Sequence, residues 1–157
     1  MVEKEVVVVT MKRFWRVALP LGLALCTLFI WSQSLKSAAA STVASDAVRD
    51  ELSWMWTYEQ PVKVNGEYLS FSYVVRKMAH LAEFLVLGLL WGGCTRAYDR
   101  RLLWLVGLPT GVIDEGLQFL APGRAPLVTD VLIDTAGFLC GVAVILLITH
   151  LWKKKKK

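Results

Sequence analysis

Along its length the chain alternates long apolar runs with short polar breaks. Four runs, at 14–33, 74–93, 102–120 and 127–151, approach the roughly 20 residues that a helix needs to cross a bilayer. The first holds Pro20, a kink point, and no charge after Arg16, so polar interior positions are expected only from the other three. Those carry RKMAHLAEF (76–84), IDEGLQFLAPGR (113–124) and TDVLIDTAG (129–137). Ionisable groups are costly inside hydrocarbon, and their recurrence in several segments argues for one shared polar site. At about 100° per residue, Arg76, His80 and Glu83 fall on one stripe of the second run. Gly107, Gly111, Asp114 and Gln118 do the same in the third, and Asp130, Asp134, Gly137 and Gly141 in the fourth. Glycines let helices approach closely, so in the last two the polar stripe is expected to be the packing stripe as well.

The long 34–73 loop has a different texture. Ala44, Val48, Leu52, Met55 and Trp56 recur at helical spacing behind Ser45, which predicts a short helix capped by that serine and lying on the membrane surface. Asn65-Gly66 between VKV and EYLSF predicts a two-residue hairpin turn. Ligand contact by Trp54, Trp56 or Tyr58 is one reading of the loop, and a lid or spacer is the other.

Composition strengthens the membrane reading: 157 residues, 55% hydrophobic, with seven Trp, are too few to hide so much apolar surface in a soluble domain. Lys and Arg then set the orientation, because cationic loops stay cytoplasmic. Lys4, Lys12, Arg13 and Arg16, then Arg96, Arg100 and Arg101, then 153–157 put twelve of the eighteen on one side. Both termini are therefore expected inside, with the 34–73 loop outside. All the charged span positions then fall in the outer half, and Arg124, in the turn between the last two spans, is expected to fold back over the acids. The net charge of +5 is spread over juxtamembrane segments, which suits anionic lipid and excludes a nucleic-acid partner. A cleaved signal peptide is the rival reading of the first run, since MKRFWR precedes it and AAA (38–40) follows. Its length, and Trp31 and Gln33 closing it, favour a retained span. Cys26, Cys94 and Cys140 lack metal-like spacing and are read as small apolar residues without a disulfide.

The candidate cluster is Arg76, Lys77, His80, Glu83, Asp114, Glu115, Gln118, Arg124, Asp130 and Asp134. Its near balance of charge suits a purely structural ion-pair network. Against that stand the number of acids and His80, since packing alone could use Ser or Asn at less desolvation cost. The cations suit a phosphate or carboxylate on a lipid head group or cell-wall precursor. Crowded acids such as Asp114 and Glu115 suit acid-base chemistry. A single histidine without a fixed ligand motif is a weak metal signal, and no metal or cofactor is expected. No GxSxG, no Cys paired with His80 and no phosphate-cradling glycine loop supports an ordinary hydrolase.

RKMAHLAEF, DEGLQFLAPGR and TDVLIDTAG, with SQS (32–34), together resemble the pattern of VanZ-like membrane proteins from about residue 14 to 150. The resemblance carries over the candidate cluster together with Pro122 as the family's characteristic positions; many relatives have Asn where this chain has Asp134. The family's name-giving member is associated with low-level resistance to teicoplanin, a lipoglycopeptide acting at the outer envelope. The resemblance thus implies a multi-pass protein of the bacterial plasma membrane and raises a role in antibiotic resistance. The expectation is an all-α integral membrane protein, one domain over 1–157, with four transmembrane helices, both termini cytoplasmic and an extracellular loop between spans one and two. Its outer-facing pocket would bind an anionic lipid, a lipid-linked cell-wall precursor or a lipoglycopeptide. The alternatives are a membrane-embedded lipid-modifying enzyme acting through His80, Glu83 and the Asp114/Glu115 pair, or a small proton-coupled transporter, which would need a homo-oligomer to form a path.

Overall fold

The computed structural model describes residues 2–52, 54, 62–64, 67–69, 71–94 and 103–155. They form five helices and one short hairpin: α1 (Val2–Ser34), α2 (Ala38–Glu51), β1 (Val62–Val64), β2 (Glu67–Leu69), α3 (Phe71–Cys94), α4 (Leu103–Gln118) and α5 (Val128–Lys155). The four apolar runs lie on α1, α3, α4 and α5. Helices α1 and α4 continue through Pro20 and Pro109.

Among the described residues two helices are long and apolar enough to cross a membrane, α1 over Phe14–Ser34 and α5 over Val128–Lys155. Only 6% of the α1 stretch is buried in the molecule, which is not how the core helix of a soluble protein sits. The other two are weaker on composition and length. Helix α3 carries Arg76, Lys77 and Glu83. Helix α4 has 16 residues, which at about 1.5 Å each falls short of a hydrocarbon core of about 30 Å.

The core is small and apolar: Ile30 of α1, Phe84 and Leu87 of α3, and Phe138 and Val142 of α5. Helices α3 and α5 form the most extensive contact in the molecule. The cause is the glycine face of α5, where a Cβ at Gly137 or Gly141 would run into the backbone carbonyl of Leu81 or Leu85 on α3. The packing stripe expected on α5 is therefore present, directed at α3. On α4, a Cβ at Gly111 would make only ordinary van der Waals contact with Asp134 and Phe84. With Ile30 in that core, α1 is part of the folded molecule.

The loop corrects one expectation. Helix α2 begins seven residues before Ser45 and is capped by Ser37, whose side chain accepts the amide of Ala40 at 3.2 Å. Ser45 lies buried within the helix, its hydroxyl donating to the Ser41 carbonyl at 2.9 Å, because a serine inside a helix can bond back one turn. The strands pair antiparallel, Val62 with Leu69 and Val64 with Glu67, leaving Asn65-Gly66 between them. Trp54 is exposed. Met55, Trp56, Tyr58, Arg96, Arg100 and Arg101 lie outside the described residues.

Candidate functional site

One end of the bundle collects the polar groups. The end of α1, the start of α2, the first turns of α3, the close of α4 and the first turns of α5 meet there, joined by the 119–127 turn. Gly123 enables that turn with a φ of 75°, a backbone conformation that L side chains rarely adopt. The amide of Ala38 donates to the Pro122 carbonyl at 3.1 Å, which ties α2 to the turn. The Leu127 amide donates to Glu115 Oε2 at 3.0 Å, and Gln118 Nε2 donates to Glu115 Oε1 at 2.7 Å. Glu115 and Gln118 thus clamp the turn onto α4.

The residues expected to share one cluster divide into separate groups. Lys77 on α3 pairs with Asp130 on α5, and its ammonium also lies 4.9 Å from the Tyr73 ring centroid. Thr129 Oγ1 stands 3.4 Å from the same Asp130 oxygen. Deeper in the bundle, His80 on α3 faces Asp114 on α4 and Asp134 on α5, with Nδ1 at 3.4 Å from Asp134 Oδ1 and 3.9 Å from Asp114 Oδ2. Ser34, at the last residue of α1, donates to Asp114 Oδ1 at 2.6 Å. The sequence pattern predicts polar interior positions only on α3, α4 and α5. Ser34 is 1% exposed, and it completes the group from the first helix. The SQS tripeptide was the available signal for it, but a hydroxyl at the end of an apolar run gives no indication of what it will meet.

Unlike Lys77, neither arginine makes a hydrogen bond to an acid of the cluster among the described residues. Arg124 turns to α1 and α2, donating to the Ser34 carbonyl at 3.5 Å and to Ser41 Oγ at 2.8 Å. Its hydrogen bonds thus go to α1 and α2, while Asp114, Glu115 and Asp130 act on it through space. Arg76 donates to Thr42 Oγ1 at 3.1 Å, and its Nε is buried without a partner among the described residues. Between them opens a cavity of about 170 Å³, walled by Lys36, Arg76 and Arg124 together with Gln33, His80 and Glu83. Burial, and then the like charge of Arg76, push Arg124 below its ordinary pKa, while Asp114, Glu115 and Asp130 oppose the shift. Lys36, Gln33, Ser41 and Thr42 were absent from the expected cluster, because the chain turn that brings them over α3 is not a periodic pattern.

The model of the VanZ/LLP1 family matches residues 18–149, most of the chain. The chain belongs to that family. No curated protein and no solved structure matches it. The matched region takes in every VanZ-like motif singled out above, from SQS at the end of α1 to TDVLIDTAG on α5. Family membership and the two long apolar helices point to a membrane protein.

Proposed function

We propose that this VanZ-like protein spans the bacterial plasma membrane four times with both termini inside, and that its outer-facing pocket binds an anionic group. The ligand class is the phosphate or carboxylate of a lipid head group or lipid-linked cell-wall precursor. The convergence of Lys36, Arg76 and Arg124 on one cavity carries this reading. Two guanidinium groups that repel each other gain from an anion between them, and an Arg fork suits the paired oxygens of phosphate and carboxylate. The placement of both termini inside is supported by charge at the opposite end: Arg16 near the start of the α1 span and Lys153 to Lys155 closing α5. Pocket residues from the end of α1, the start of α3 and the turn after α4 are then at the outer surface together.

Cavity size narrows the ligand. Drug-sized molecules occupy roughly 300–1,000 Å³. About 170 Å³ suits one charged head group, so a lipoglycopeptide would be engaged through a single acidic group rather than enclosed. Short-chain phosphatidylglycerol and phosphatidylcholine, titrated against the detergent-solubilised protein by tryptophan fluorescence, test this. The anionic lipid is expected to bind more tightly, and Arg76→Ala or Arg124→Ala to weaken it about tenfold or more, the loss of one charge-assisted contact. Equal binding of both lipids, or variants that bind like the parent, would sink the proposal. In bacteria, expression of the parent is expected to raise tolerance of teicoplanin, and Arg124→Ala to lose that gain at equal membrane abundance.

A further inference from the structure

Beneath the cavity lies a set of atoms that anion binding does not explain. His80 Nδ1, Asp114 Oδ2 and both carboxylate oxygens of Asp134 are buried without a hydrogen-bond partner among the described residues. Their residues are 8%, 0% and 0% exposed. Unpartnered buried polar atoms are uncommon, and for carboxylates they are especially costly. Here they come from three different helices and converge, the donor atoms lying within 4.8 Å of one another. A charge-assisted N–H···O bond would be about 2.7–2.9 Å long. The observed 3.4 and 3.9 Å exceed that. Two donors held at about 2.1 Å by one ion at the tetrahedral angle stand about 3.4 Å apart.

We infer that His80, Asp114 and Asp134 form a binding site for a divalent transition-metal ion of the Zn²⁺ or Mn²⁺ type. One imidazole nitrogen with two carboxylates is a mixed donor set of the kind these ions take, whereas Ca²⁺ and Mg²⁺ favour all-oxygen shells. A divalent ion with a neutral imidazole also balances the two buried carboxylates. Ser34 fits the same assignment: its hydroxyl occupies Asp114 Oδ1, fixing the carboxylate and leaving Oδ2 directed at His80. His80 belongs both to this group and to the cavity wall, which provides a path for the ion from outside. The competing account is a bare charge pair, in which a protonated imidazole serves both acids.

The test uses protein purified in detergent and stripped with a chelator. Cys140→Ala and His150→Ala remove the exposed thiol and the one other imidazole from the background. After loading with Zn²⁺ or Mn²⁺ and desalting, metal is counted per chain and binding is titrated calorimetrically. One ion per folded chain is expected, with a raised Tm on loading. Asp114→Asn and Asp134→Asn keep the side-chain shape and should weaken binding by more than about 100-fold, whereas Ser34→Ala, which leaves all three donors in place, should weaken it about 10- to 100-fold. No stoichiometric ion in the folded parent would overturn the assignment, as would unchanged affinity in the Asn variants. If the Asn variants do not fold, unchanged affinity in Ser34→Ala does so instead. Arg76→Ala with Arg124→Ala should retain the ion, which keeps failure of the anion-binding proposal separate from failure of this one.

Discussion

Asp130 and Asp134 stand one helical turn apart on α5, both buried, and the protein treats them in opposite ways. Asp130 receives a fixed cation from α3, the Lys77 ammonium, and a nearby hydroxyl from Thr129. Neither oxygen of Asp134 has a hydrogen-bond partner among the described residues, and the group facing it is an imidazole at 3.4 Å. A buried acid with a permanent counter-charge joins two helices. One facing a titratable nitrogen and a second acid keeps both oxygens without a hydrogen bond among the described residues. Near-identical residues on one face therefore serve different ends, and what separates them is which residue of α3 each one meets.

Breaking the satisfied pair should have the largest effect. Lys77→Ala leaves Asp130 charged and buried, and is expected to cost about 3–5 kcal/mol, while Lys77→Met with Asp130→Leu should cost far less because neither charge is then stranded. Chemical unfolding in detergent reads both, and a double variant as unstable as the single would mean the pair does not act as a pair. Ser34→Ala comes next. It removes a hydrogen bond to a buried carboxylate and should cost about 1.5–3 kcal/mol by the same measurement. The smallest shift has the opposite sign. In the presence of chelator, Asp134→Asn replaces a buried carboxylate that lacks a hydrogen-bond partner among the described residues with a neutral amide of the same shape, and a gain of about 1–2 kcal/mol is expected. A loss of that size instead would show that Asp134 already has its charge compensated, and the contrast with Asp130 would disappear.

Much of the architecture was legible beforehand. The apolar runs at 14–33, 74–93, 102–120 and 127–151 correspond to α1, α3, α4 and α5, because a helix repeats its pattern locally. The hairpin followed from Asn65-Gly66 between two β-prone triplets. The start of α2 did not, since both Ser37 and Ser45 are competent caps and the choice rests on the backbone tie between Ala38 and Pro122. Among the site residues, the shared stripe of Arg76, His80 and Glu83 was visible as a spacing, and all three line the same cavity. Its other walls were not visible, because Lys36 arrives there from a turn between helices.

The sequence by itself determined that the four apolar runs are helical, that Arg76, His80 and Glu83 share one stripe of α3, and that the chain is VanZ-like. These are properties of spacing along one strand of chain, and spacing survives without knowledge of any neighbour. Tertiary structure alone decided that Lys77 pairs with Asp130, that Arg124 donates to Ser41, and that Ser34 reaches Asp114 across 80 residues. Those outcomes depend on the rotation and axial offset of one helix against another. The offset is set here by glycine contacts between α3 and α5, and a shift of one turn along that seam would carry one of the two acids to the other's partner and the other acid past its own.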